Sequence, residues 1–184
     1  MQVSRVDKLA HGPRTGTWFR AVRLRYWETR LSTEHSCATS SRFSGASAAS
    51  PGPRMLYLGE NHQVVLYEVE ALFGPSGAVV PNPAGSWVLM SLEIVLNCVV
   101  DLSIPAQQAL IHTNDQELTG NRSSEAGLAP TQRLGGALRA LPGVEGAIFP
   151  SSKPGGGRNL FIFVDKLHAT SRIDFVCVVN NKGD

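Results

Sequence analysis

Arg42, Tyr57 and Glu68 fall within one short run, Ser41 to Glu68, and each residue type is suited to managing charge on a small ligand. A fixed carboxylate stabilises positive charge as it develops on a reacting carbon. An arginine grips phosphate groups through a planar fork of donors. A tyrosine offers a ring for stacking and a hydroxyl for hydrogen bonding. A loop arginine, a strand tyrosine and a helix glutamate together have the layout of a nucleotide-sugar site. Two flanking pieces extend the set: Thr17-Trp18-Phe19-Arg20 ends a short apolar run in a second arginine, and Gly146-Ala147-Ile148-Phe149-Pro150-Ser151 ends another in Pro-Ser.

The elements that must position these groups can be read from the same run. A small-residue loop opens with Arg42 and leads into a short apolar strand around Met55 to Leu58. A helix with Asn61 as its N-cap is predicted from about His62 to Phe73, stopped by Gly74-Pro75. In such a helix the neighbours of Glu68 one turn away are Val64, Val65, Ala71 and Leu72. Glu68 is therefore expected on or beside the buried stripe, with Glu70 pointing to solvent. A carboxylate so placed costs free energy unless it is paired, so it is either half of an ion pair with Arg20 or Arg42 or a functional group held in a cleft. The segment from Thr29 to Pro53 is rich in Ser, Ala, Thr and Gly and reads as a long mobile loop over the site.

Ser41-Arg42-Phe43-Ser44, then Leu56-Tyr57-Leu58, then Glu68, with Arg20 before them and Ser151 after them, resembles the signature of the RES-domain toxins of bacterial toxin–antitoxin pairs. The resemblance runs from about Trp18 to Lys166. It departs from the family pattern in the extra run Ala46 to Ser50, in Ser44 after Phe43, and in Ala21 after Arg20. It implies an ADP-ribosyltransferase-like α+β fold: a single domain with a mixed, mostly antiparallel sheet and a few flanking helices. It implies an NAD-consuming toxin that breaks the bond between nicotinamide and ribose and passes ADP-ribose to water, phosphate or a protein. Under this resemblance Glu68, Arg20, Tyr57 and Ser151 are catalytic, and Arg20, Arg42, Tyr57 and Ser151 bind NAD. NAD is then a substrate, with no bound cofactor, and a cognate antitoxin is expected to occlude the site, in a toxin–antitoxin hetero-oligomer or with the toxin as a dimer. The alternative from another class is a non-catalytic module whose basic cleft captures an anionic nucleotide or protein.

The rest of the chain sets bounds. The 184 residues, 42% of them apolar, suit one domain with its own core, placed at about 17–166, with 1–15 and 180–184 expected as tails. No apolar run reaches membrane-spanning length and the N-terminus lacks the apolar core of a secretory signal, so the expectation is a cytoplasmic protein. Cys37, Cys98 and Cys177 are odd in number and widely spaced, which fits reduced thiols; a metal site is not expected, and His112 to Glu117 reads as a polar loop. Residues 1 to 54 hold nine Lys/Arg against three Asp/Glu, a basic half suited to an anionic ligand. Aromatic interleaving in it is limited, and the scattered histidines form no acid–base pair, so nucleic acid is not expected as a direct partner. Strands are predicted over Ser86 to Leu96 and Asn97 to Leu102, and again over Val144 to Phe149, Leu160 to Val164 and Ile173 to Val179. Helices are predicted after Pro105 and from Pro130 to Leu141. The glycine-rich link Pro150 to Arg158 fits neither a phosphate-binding P-loop nor a Rossmann turn; it is a hairpin connection or a loop that brings a serine and backbone amides to the cleft.

Overall fold

The computed structural model describes residues 1–46, 50–73, 80–81, 86–120, 127–153 and 156–179. In chain order the strands are β1 (His11–Arg23), β2 (Met55–Gly59), β3 (Leu72–Phe73), β4 (Val80–Pro81), β5 (Trp87–Asp101), β6 (Gly146–Pro150), β7 (Arg158–Phe163) and β8 (Arg172–Val178). The α-helices are α1 (Glu34–Ala38), α2 (His62–Glu68), α3 (Pro105–Leu110), α4 (Asp115–Thr119) and α5 (Pro130–Ala140).

The long β5 organises the sheet. One edge pairs with β1 along nearly its whole length, and the other edge pairs first with β8 and then, in parallel, with β6. β6, β7 and β2 continue antiparallel, and β2 returns to β1 through Phe19 opposite Gly59. The circuit β1-β2-β7-β6-β5-β1 is thus closed, with β5–β6 its only parallel pair and β8 as an extension on β5. This is the mixed, mostly antiparallel sheet of the expected α+β single domain.

Strand alternation divides the apolar side chains between two faces. Trp18 and Val22, Leu56 and Leu58, Leu92, Ile94 and Leu96, Ile148, and Leu160 and Ile162 form one buried cluster, drawing on every strand of the circuit. On the opposite face Met55, Ala147, Phe149, Phe161 and Phe163 pack under Ile111, Leu118, Leu134 and Leu138. Cys98 and Val100 join them from β5. α5 begins at Pro130, where the missing amide of proline costs no helix bond. Gly135 lets this helix approach closely, since a Cβ there would lie 2.0 Å from the carbonyl oxygen of Phe43.

Several expectations differ from this architecture. The stretch expected as an N-terminal tail is integrated: a 3-10 turn over Val3–Lys8 buries Val6, Leu9 is buried beside it, and His11 to Arg14 already pair with β5. The segment from Thr29 to Pro53 contains α1 and a bridge between Ser41 and Ser44, and it is pinned by Phe43, only 1% exposed among Phe149 and Phe161. One buried phenylalanine ring, at about 1.5–3 kcal/mol, anchors what its small neighbours cannot. Two strands expected over Ser86 to Leu102 are a single one. His112 to Glu117 is the turn into α4, capped by Asn114, whose side chain accepts from the Glu117 amide. The three cysteines are free thiols. No helix is long and apolar enough to cross a membrane among the described residues. The run Ala46 to Ser50 lies partly, and 180–184 wholly, outside the described residues.

Candidate active site

Glu68 is the last residue of α2, which is shorter than the sequence suggests. Asn61 caps its start, accepting from the Val64 amide at 2.9 Å. The end is a Schellman closure: Glu70 sits in the left-handed region at φ 58°, its amide donates to the Tyr67 carbonyl, and the Ala71 amide reaches back to the Leu66 carbonyl. A glycine usually occupies that position, so nothing in the sequence marks the stop, and Leu72–Phe73 turns away as a strand. Val64, Val65 and Tyr67 are the buried side of α2. Glu68 does not join them. It stands exposed at the rim, and Glu70, expected as a solvent-facing position of the same helix, lies beyond its cap.

Two donors converge on the Glu68 carboxylate, and on the same oxygen. Ser151 Oγ donates to Oε1 at 2.9 Å and Asn159 Nδ2 donates to Oε1 at 2.8 Å. No ion pair with Arg20 or Arg42 forms, so the structural ion-pair reading of Glu68 is set aside. Ser151 is presented by the link between β6 and β7, where its amide donates to the Gly157 carbonyl and its Oγ accepts from the Lys153 amide. The link is therefore a hairpin connection that also delivers a serine to the site.

The approach of α2 to the sheet depends on Gly59. A Cβ at this position would lie 2.5 Å from Val65 Cγ2 and 3.2 Å from Val64 Cγ1, so only glycine lets α2 pack directly on β2. Gly59 is paired with Asn159, which is paired in turn with Phe149; directly opposed residues project from the same face, so Asn159 emerges on the α2 side.

Arg20 occupies a position between Trp18 and Val22 on β1, both in the cluster inside the strand circuit. Desolvation there lowers its pKa from the usual guanidinium range to about 10, which leaves it cationic at neutral pH. Its Nε donates to the Arg30 carbonyl and its Nη1 to the Tyr57 carbonyl, each at 2.9 Å. Among the described residues no carboxylate pairs with it, so its charge is held by backbone dipoles. Tyr57 lies on β2 with its hydroxyl 2.7 Å from Ser41 Oγ, joining the strand to the Arg42 loop. Arg42 Nη1 donates to the carbonyls of Leu118 and Gly120 at the end of α4.

These groups border one cleft of about 390 Å³. Arg20, Arg42, Tyr57 and Glu68 line it together with Ser152 and Asn159, and Phe19, Val65 and Phe149 supply apolar wall. Ser151 reaches it through its bond to Glu68, whereas Ser152 lies on the lining. The other arginines of the basic half do not gather there: Arg23 stacks on Trp87, Arg25 on Tyr26, and Arg30 on Trp27 and Phe175. Asn159 escaped the sequence reading, although one signal was present, a lone amide opening the apolar run Leu160 to Val164. Chemically the cleft offers one fixed carboxylate, two guanidinium groups and an aromatic ring, an arrangement that can hold an anionic ligand and stabilise a cation formed on it. No group of three or more His, Cys, Asp or Glu placed to hold a metal ion occurs among the described residues.

A comparison with curated proteins finds no match. Among solved structures, a chain of the M. tuberculosis MbcT–MbcA toxin–antitoxin complex aligns over 96% of this chain and 90% of its own, at 17% identity and a TM-score of 0.68. At that identity the likeness concerns the fold. The family model for the RES domain matches residues 17–177, which include Arg20, Arg42, Tyr57, Glu68 and Ser151, and the chain therefore belongs to the RES domain family.

Proposed function

We propose that this protein is an NAD-consuming toxin that breaks the bond between nicotinamide and ribose. The observation that carries the reading is the Glu68 carboxylate, unpaired by any arginine among the described residues, steadied by Ser151 and Asn159 at the edge of a cleft that also holds Arg20 and Arg42. When the glycosidic bond breaks, its electron pair leaves with nicotinamide and positive charge develops on the ribose carbon. A carboxylate fixed beside that carbon interacts more strongly with the transition state than with NAD itself, which is the condition for acceleration. Arg20 and Arg42 suit the pyrophosphate by charge, and Tyr57 suits the nicotinamide or the ribose. The acceptor then adds to the same carbon: water gives ADP-ribose and a proton, phosphate gives the phosphorylated sugar, and a protein side chain gives an ADP-ribosylated target. The likeness to a chain of a toxin–antitoxin complex supports a protein partner, and in this reading that partner covers the cleft and silences it.

Incubation of the purified protein with NAD, with and without phosphate, followed by separation of nicotinamide from its sugar products, tests the reading. Nicotinamide release is the expected result, and the accompanying product names the acceptor. NAD that is bound and recovered intact would instead support a module that captures an anionic nucleotide without turnover.

A further inference from the structure

Asn159 stands out among the polar residues of the core. It is only 7% exposed, and the side chains that follow it on the same face of β7 are Phe161 and Phe163, both fully buried. An amide placed in such a row loses hydration and must recover it through hydrogen bonds. On its α2 side the register places Gly59 opposite, so no side chain stands between the amide and the end of α2. Its Nδ2 spans that gap to Oε1 of Glu68, the oxygen that Ser151 Oγ also reaches from the β6–β7 link. Two donors on one oxygen leave the other, Oε2, without a protein partner among the described residues. The arrangement has a mechanical consequence. Glu68 is an exposed residue at the C-terminal end of a two-turn helix, and an exposed glutamate samples several rotamers. Of the two donors, Ser151 rides on a glycine-rich link, while Asn159 is fixed by backbone pairing on both sides.

Resting on the reading of Glu68 as the group that stabilises the ribose cation, we propose that Asn159 is the positioning residue of this site. It holds Oε1 of Glu68 against the sheet, so that Oε2 alone is presented to the cleft. Asn159 acts only through Glu68, so its loss lowers turnover without weakening the grip on NAD, which belongs to other groups.

The test measures nicotinamide release and melting temperature for wild type, Asn159→Leu, Glu68→Gln and the double variant. Leucine keeps the volume and removes the donor. The expected result is a fall in kcat of about tenfold or more for Asn159→Leu with KM within about threefold of wild type, and a double variant no slower than Glu68→Gln alone within about twofold, since both changes remove one function. Asn159→Ser, too short to reach Glu68, repeats the measurement if the leucine variant does not fold. An unchanged kcat in a folded Asn159 variant overturns the proposal, as does a double variant whose losses multiply. If the wild type releases no nicotinamide, the parent reading itself has failed; if the wild type is active and Asn159 is dispensable, only the positioning role has.

Discussion

At the scale of single residues the site depends on where each charge finds its partner. Arg20 illustrates the point, since it lines the cleft and its two donors to the Arg30 and Tyr57 carbonyls also give it a structural role. Arg20→Ala is therefore expected to raise KM for NAD and also to lower stability by about 1.5–3 kcal/mol, the scale of a charge-assisted hydrogen bond. Steady-state kinetics and thermal melting of the same preparation check both effects, and a raised KM with an unchanged melting temperature would show that the two carbonyl bonds carry no stability. Residue types and spacing made Arg20, Arg42, Tyr57, Glu68 and Ser151 reasonable candidates in the sequence, and the resemblance to the RES-domain toxins joined them as a set. Two things were not legible. One is the convergence of Ser151 and Asn159 on a single carboxylate oxygen, because the β6–β7 hairpin that carries them meets Glu68 only through the pairing of β7 with β2, strands far apart in sequence. The other is Glu68's exposure, which follows from a helix end set by Glu70 in a conformation that glutamate rarely adopts.

At the scale of elements the site is made by the seat of α2 on β2. Gly59→Ala would thrust a methyl group against Val64 and Val65 and push the helix outward. Overpacking of this kind costs about 1–3 kcal/mol. Because Glu68 rides on the displaced helix, kcat is expected to fall by more than the stability loss alone would produce, as measured per folded molecule. A Gly59→Ala variant with lowered melting temperature and wild-type kcat would show that the seat of α2 does not set the position of Glu68. The apolar strands and the proline-led helices α3 and α5 could be anticipated because their periodicity and start signals are local. The anchoring of the Arg42 loop could not. It rests on Phe43 entering a core made by Phe149 and Phe161, and on Gly135 of α5 leaving room for the Phe43 backbone, contacts that composition does not reveal.

At the scale of the whole molecule, Glu145 ties remote parts of the chain together. It is fully buried and accepts from the backbone amides of Asn97, Cys98 and His168, linking the start of the β6 segment to β5 and to the approach to β8. Burial raises its pKa, but hydrogen bonds from the Ser171 side chain and these three amides outweigh that and hold it below the usual carboxylate value. A depressed folded-state pKa contributes stability that is present above the unfolded value of about 4.3 and is lost as pH falls through the lower folded value. Glu145→Gln is thus expected to lower stability at neutral pH by roughly 1–3 kcal/mol, and the gap to wild type should narrow in acid; melting temperatures from pH 7 to pH 3 check this. The fold so held brings one carboxylate and two guanidinium groups to a common cleft, and the account turns on what that carboxylate does. The most direct measurement is nicotinamide release from NAD by wild type, Glu68→Gln and Glu70→Gln, with melting temperature as the control. A loss of about two to three orders of magnitude in turnover for Glu68→Gln, with its fold intact and Glu70→Gln unaffected, is the predicted result. A folded Glu68→Gln that releases nicotinamide at the wild-type rate would contradict it.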